Sequence, residues 1–282
     1  MAAPDVSALL RVPFGEAVDL SAFDPAATPG FPGGKKKARR QVATLGDRLA
    51  ELQTRLHAAA TAGAPDRVLL VLQGTDCSGK DGVGRHVVSL LEPMWVRYAS
   101  FVKPTAEELR HDFLWRVRRQ LPAAGEIGVF NRSHYEDVLI VAVHDLVPRR
   151  TWQKRYDSIN RFEQRLAGGG VRLVKVMLQI SQQEQLDRLR ARLADPDKRW
   201  KYNPHDVDER HFHDQYVTAT EAALTRCNTA AAPWHLVPAD HKWYRDWAVA
   251  HLLLEALEEV GSKYPPPAFD LAAEQARLDA EG

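Results

Sequence analysis

The residues best placed to do chemistry lie in Gly74-Thr75-Asp76-Cys77-Ser78-Gly79-Lys80-Asp81-Gly82. Gly74 through Lys80 fit the pattern G-x-x-x-x-G-K-[ST]. In that pattern glycines let the backbone curl so that several N–H groups point inward, and the lysine carries a mobile charge to phosphate oxygens. The match lies where this chemistry needs it, directly after the apolar run Arg67–Gln73 and before a helical stretch whose N-terminus adds positive potential. Asp81 departs from the pattern, standing where a hydroxyl would hold Mg²⁺. Asp76 and Asp81 put two carboxylates beside a bound phosphate, which is repulsive unless a divalent cation lies between them. Mg²⁺ is therefore expected at this loop; the alternative is that Asp81 only caps the following helix.

Two more polar segments follow. Asn131-Arg132-Ser133-His134-Tyr135-Glu136-Asp137 succeeds the apolar run Ile127–Phe130, at the strand end where open α/β sheets bind ligands. Arg132 is suited to pair with phosphate, and Glu136 or Asp137 to complete a metal site. His134 and Tyr135 read as half-buried residues on a helix face. Farther on, Asp195-Pro196-Asp197-Lys198-Arg199-Trp200-Lys201-Tyr202-Asn203-Pro204-His205-Asp206 interleaves basic and aromatic residues between prolines. That composition suits a lid whose Arg199 and Lys201 close over transferring phosphates and exclude water. Lys35–Lys37 with Arg39 and Arg40 form either a track for a polyanion or the exposed start of a helix. The clusters Arg116, Arg118, Arg119 and Arg149, Arg150, Lys154, Arg155 read individually as surface.

Positioning these groups requires alternating elements. Leu45, Leu49, Leu52 and Leu56 recur at helical spacing. Strands are predicted at Arg67–Gln73, Val96–Phe101, Ile127–Phe130, Val171–Ile180 and Trp234–Val237. Helices are predicted from Lys80 to about Leu91, from Thr105 (with Glu108 completing a capping box) through Val117, from Thr151 to Leu166, after Ile180, up to about Cys227, and from Trp243 to Val260. Alternation of this kind implies right-handed βαβ units and a five-stranded parallel sheet covered on both faces, an α/β/α architecture. The expected organisation is an irregular arm over residues 1–34, a core over 35–267 with a lid at about 195–215, and a tail over 268–282.

The chain has 282 residues and a formal net charge of +1, so attraction to a polyanion has to come from a local basic cluster rather than the whole surface. Nucleic acid is not an expected partner. Two cysteines, Cys77 and Cys227, make no disulfide framework, and with no signal peptide or membrane-spanning run visible, the expected location is the cytoplasm, without a membrane partner.

Together GTDCSGKDG, FNRSHYEDVL, VPRRTWQKRY, DPDKRWKYNPHD and APWHLVPADHKWYRDW resemble the polyphosphate kinase 2 family, in particular its class III. The resemblance runs from about Phe14 to Pro267. It implies a P-loop kinase core with a helical lid, and Mg²⁺-dependent, reversible transfer of phosphoryl groups from inorganic polyphosphate to AMP and ADP, giving ADP and ATP. Partners so implied are inorganic polyphosphate, adenine nucleotides with guanine nucleotides left open, and further copies of the chain in a dimer or tetramer. Carried onto matching positions, Asp76 and Lys80 form the functional pair of the loop, Arg132 and Asp137 belong to the second motif, and Arg199 and Lys201 to the lid. Asp76 and Asp137 would hold Mg²⁺, while Gly74, Thr75, Cys77, Ser78, Gly79, Asp81, Gly82, Asn131 and Glu136 line the bound phosphates. The chain departs from many relatives in having Asn131 for aspartate, a change that bears on metal ligation there. Cys77 and Ser78 replace a small Ala/Gly pair, and Gly74 replaces another small residue. Two alternatives remain at this level: an ATP-dependent kinase of a nucleoside monophosphate or small metabolite, and a non-catalytic polyanion sensor on the same scaffold.

Overall fold

A strand that is apolar on both faces must be covered on both, and Arg67–Gln73 is such a strand. Val68, Leu70 and Leu72 point into one core and Leu69 and Val71 into the other, all of them fully buried. The computed structural model describes residues 5–281; residues 1–4 of the expected arm and Gly282 of the expected tail lie outside them. In chain order the described residues form α1 (Val6–Leu10), α2 (Lys35–Thr61), β1 (Arg67–Gln73), α3 (Lys80–His86), β2 (Val96–Ser100), α4 (Trp115–Arg118), β3 (Ile127–Asn131), α5 (Ile140–Val143), α6 (Arg149–Gly168), β4 (Val171–Gln179), α7 (Gln182–Ala194), α8 (His205–Asp208), α9 (His213–Arg226), β5 (Trp234–Pro238), α10 (Lys242–Val260) and α11 (Leu271–Glu281).

The five strands are parallel in the order β2-β3-β1-β4-β5. Helices α2, α3 and α10 cover one face of the sheet, and α6 and α9 cover the other. Each predicted strand is present to within a residue at either end. Because β1 pairs with β3 in the register Leu72↔Asn131, the loop after β1 and the turn after β3 leave the sheet side by side.

Several expectations are corrected. The helix predicted from Thr105 is a single 3₁₀ turn, Glu108–Arg110, followed by the short α4. The capping box does close: Thr105 N–H donates to Glu108 Oε2 (2.8 Å) and Glu108 N–H to Thr105 Oγ1 (3.2 Å). However, Asp112 takes the Leu114 N–H and restarts the chain, and Leu109 stays exposed, so no apolar face rewards a longer helix. The helix after the glycine loop stops at His86, and a 3₁₀ turn, Val88–Leu90, replaces its last part; Gly82, Gly84 and two adjacent valines are poor helix formers. The arm is not merely irregular. It contains α1 and a 3₁₀ turn at Leu20–Ala22, and buries Val6, Leu10, Val12, Leu20 and Phe31 against the core. The tail contains α11, which buries none of its residues. Lys35–Lys37 are the exposed first residues of α2.

His235 on β5 helps to tie the arm down. Its Nε2 lies 2.9 Å from Ser7 Oγ and its Nδ1 3.2 Å from the Lys175 carbonyl. Burial pushes its pKa down to about 4, despite the carbonyl contact that works the other way. The unfolded chain thus binds this proton more readily, so the contribution is fully present above about pH 6.5 and is lost as pH falls towards 4. Between pH 7 and pH 4.5 the unfolding free energy should drop by about 2.5 kcal/mol more in the parent than in His235→Gln, measured by urea denaturation.

Candidate active site

The loop after β1 is shaped by left-handed residues: φ is +143° at Gly74, +65° at Cys77 and +109° at Gly79. The backbone at Gly79 calls for glycine, and any Cβ there would also lie 1.8 Å from Arg245 Nη1 and push that guanidinium aside. Lys80 follows as the first residue of α3. It is buried, and its Nζ donates to the carbonyls of Gly74 (2.6 Å) and Thr75 (3.1 Å) within the loop. Burial lowers its pKa, with Asp76 opposing. Ser78 Oγ is buried with no hydrogen-bond partner.

Arg132, also left-handed at φ +61°, hangs its backbone N–H on the Leu72 carbonyl and reaches Asp76 Oδ1 with Nη2 at 2.8 Å. Burial works to raise the Asp76 pKa, but Lys80 and Arg132 outweigh it and hold the carboxyl below its ordinary range. Glu136 faces the same group of charges. Burial raises its pKa against the pull of Arg132 and Lys80.

Not every predicted site residue comes to this centre. Asp137 turns away and accepts from Arg155 Nη1 (2.8 Å) beneath the turn, its pKa raised by burial against that arginine. Arg199 folds back so that Nε donates to the Leu193 carbonyl, whereas Lys201 lies against Trp200 and lines the groove described below. Asp81 does not cap α3, whose N-cap is Gly79; it accepts from Asn131 Nδ2 at 3.0 Å. His134 and Tyr135 are fully buried in a 3₁₀ turn, not half-buried on a helix face, because Glu163 and Lys175 reach in to bond them. Arg116 and Arg155 are not simple surface residues either: Arg116 is buried and donates to the Val102 carbonyl, and Arg155 holds Asp137.

Two cavities open here. One of about 210 Å³ is lined by Gly74, Thr75, Asp76, Arg132 and Glu136 on its polar side and by Leu20, Leu139, Ile140, Met177, Ile180 and Val217 on its apolar side. The other, a groove of about 600 Å³, gathers nine basic side chains against two carboxylates, Asp76 and Asp81. Lys80, Arg85 and Arg132 come from the two loops and α3, Arg188 and Arg192 from α7, Lys198 and Lys201 from the lid segment, and Lys242 and Arg245 from α10. Asp76 and Arg132 are the residues lining both.

The family profile described as Polyphosphate kinase 2 matches residues 33–265. This chain belongs to the polyphosphate kinase 2 family. The AMP/ADP-polyphosphate phosphotransferase of Meiothermus ruber is 47% identical over 249 residues, covering 88% of this chain and 92% of that one. The ADP-polyphosphate phosphotransferase of Rhodopseudomonas palustris is 41% identical over 267 residues, covering 90% and 91%. A crystal structure of polyphosphate kinase 2 from Arthrobacter aurescens superposes with a TM-score of 0.95 at 46% identity, over 99% of this chain and 98% of that one.

Sequence reasoning within this polyphosphate kinase 2 chain missed Arg188, Arg192, Lys242 and Arg245. The pair on α7 had a legible signal, since Arg188 and Arg192 are four residues apart on the helix leading into the lid and so share a face. The α10 residues lie within APWHLVPADHKWYRDW, so the motif marked them, but only folding brings that distant helix to the groove.

Proposed function

We propose that this chain transfers phosphoryl groups from inorganic polyphosphate to AMP and ADP, with polyphosphate in the basic groove and the nucleotide in the smaller cavity. One observation carries the reading: a groove lined by nine basic side chains and a smaller cavity with an apolar wall meet at Asp76 and Arg132. A polymer with roughly one charge per phosphate suits a groove lined by basic groups, and the apolar wall of the smaller cavity suits a base.

The acceptor's terminal phosphate oxygen attacks the end phosphorus of the polyphosphate in line, and the shortened polyphosphate leaves. That oxygen is ionised near neutral pH, so no strong general base is needed, and catalysis rests on positioning and charge stabilisation. Arg132 sits where the two substrates meet and stabilises charge on the transferred group. Lys80 exchanges its two loop carbonyls for phosphate oxygens, and Lys201 closes from the lid segment.

The donor set fits Mg²⁺, which binds through one or two carboxylates completed by substrate phosphates and water. Among the described residues no cluster of three His, Cys, Asp or Glu could hold an ion unaided. Asp76 would hold it, with Glu136 as the second carboxylate, since Asp137 is taken by Arg155. Held there, Mg²⁺ would supply positive charge that offsets the negative charge of the phosphates.

Among the described residues no helix is long and apolar enough to cross a membrane. The reading extends to a cytoplasmic enzyme of arm, core with lid, and tail. It also includes a homo-oligomer, supported by exposed Met94 and Val102 flanking the edge strand β2.

Incubation with AMP, polyphosphate and Mg²⁺ should yield ADP and then ATP, followed by chromatography. Polyphosphate binding should weaken at least tenfold between about 50 and 200 mM salt, because each neutralised phosphate releases counterions. Product with ATP as donor and none with polyphosphate would select an ordinary nucleotide-dependent kinase instead.

A further inference from the structure

The phosphate loop holds a non-glycine residue, Cys77, at φ +65°, a conformation in which Cβ crowds the following carbonyl. Such a residue persists only where its surroundings over-determine it. Here they do so through the carbonyl groups. Three consecutive loop carbonyls are taken up by one face of α7: Gln185 Nε2 donates to Asp76 O (3.0 Å), and Arg188 Nη1 donates to Cys77 O (2.8 Å) and Ser78 O (3.1 Å). The other arm of the same guanidinium, Nη2, donates to Ala239 O (2.6 Å) and Asp240 O (2.9 Å) just beyond β5, and Nε is fixed on Glu184 at 2.8 Å. Arg188 is 7% exposed, so these contacts form out of water.

We infer that Arg188 is the positioning residue that holds the phosphate loop open for the donor, by pulling its carbonyls outward so that the intervening N–H groups face the groove. A carbonyl turned toward a phosphate would repel it. Each carbonyl anchored on α7 turns the N–H of its own peptide unit the opposite way, towards the groove at Cys77 and Gly79, while the Ser78 N–H closes the loop on the Thr75 carbonyl at 3.2 Å. A planar fork with five donors reaches four carbonyls and a carboxylate at once, which an ammonium group cannot do. Helix α7 also carries the signal onward, since Arg192 one turn later donates to Lys201 O and Asp206 Oδ2 in the lid segment. Loop shape and lid position thus share one helix.

The inference rests on the reading of the groove as the donor site. Arg188→Lys keeps a positive charge beside the groove and loses the fork, which separates positioning from simple charge. In steady-state assays on the full chain, Arg188→Lys should raise the KM for polyphosphate at least tenfold and lower kcat, with the KM for AMP within twofold of the parent. Hydrogen exchange in the peptide spanning residues 74–82 should quicken while β3 is unchanged. Parent-like kinetics, or a fall in kcat alone that tracks lost folded protein, would overturn the positioning role. A rise in the KM for AMP with that for polyphosphate unchanged would instead show that Arg188 shapes the loop but that the loop holds the nucleotide, overturning the donor assignment alone. Should Arg188→Lys fail to fold, Gln185→Ala releases only the Asp76 carbonyl and is expected to raise the KM for polyphosphate about threefold; an unchanged value there overturns the proposal.

Discussion

Asp76→Asn should lower turnover with polyphosphate and AMP roughly 100-fold and shift the Mg²⁺ concentration for half-maximal rate upward, because it removes charge from one of the two residues that line both cavities. Asparagine has nearly the same shape, so the loop stays folded and the change is electrostatic. The parent carboxyl is held ionised by Lys80 and Arg132 although burial opposes it, and it accepts directly from Arg132 at 2.8 Å. Without that charge Arg132 loses its anchor where the two cavities meet, and on the proposed reading Mg²⁺ would lose one of its carboxylate ligands. The measurement is ATP and ADP formation across a Mg²⁺ titration. Full Mg²⁺-dependent turnover in Asp76→Asn would remove Asp76 from the metal site.

The second large effect is on stability. Lys175→Met should destabilise the fold by about 3–5 kcal/mol, as expected when one partner of a buried ion pair is removed. Lys175 and Glu163 are both fully buried. The ammonium group donates to Glu163 Oε2, Tyr135 Oη and the Cys227 carbonyl, each at 2.7 Å. Glu163 Oε1 in turn accepts from Tyr135 Oη at 2.8 Å and lies 3.1 Å from His134 Nε2. Burial works to raise the Glu163 pKa, but Lys175 and His134 keep it below its ordinary range. Methionine would leave that carboxylate buried without its cation. The double variant Lys175→Met with Glu163→Leu removes both charges and should recover most of the loss, since apolar replacement of a whole pair is commonly near neutral. Urea denaturation of the two variants makes the comparison. This network supports the turn that carries Arg132, so the single variant should also lose activity before it unfolds.

The contrast between those residues shows where sequence reading succeeds. Gly74–Gly82 was legible because its information is local: glycines at fixed offsets, a lysine at the helix start and an apolar strand before it make a phosphate loop wherever they fold. The five strands were legible for a similar reason, as runs apolar on both faces belong in the middle of a covered parallel sheet. Helix lengths were less so. Thr105 and Glu108 closed their capping box as predicted, but the helix after it ended within a turn because nothing packs on Leu109.

Glu136 and Asp137 are adjacent acids that residue type cannot tell apart. The turn after β3 aims one at the charges around Asp76 and the other at Arg155, an arginine eighteen residues on that had read as surface. His134 and Tyr135 likewise became core because α6 and β4 bring Glu163 and Lys175 against them. By itself, then, the sequence determined the sheet, the loop and the kind of ligand, since periodicity and loop chemistry act over a few residues. The tertiary structure decided which acid faces the charges around Asp76, which arginines touch the loop and where the two cavities meet, since side-chain direction and charge pairing depend on neighbours that only folding brings together.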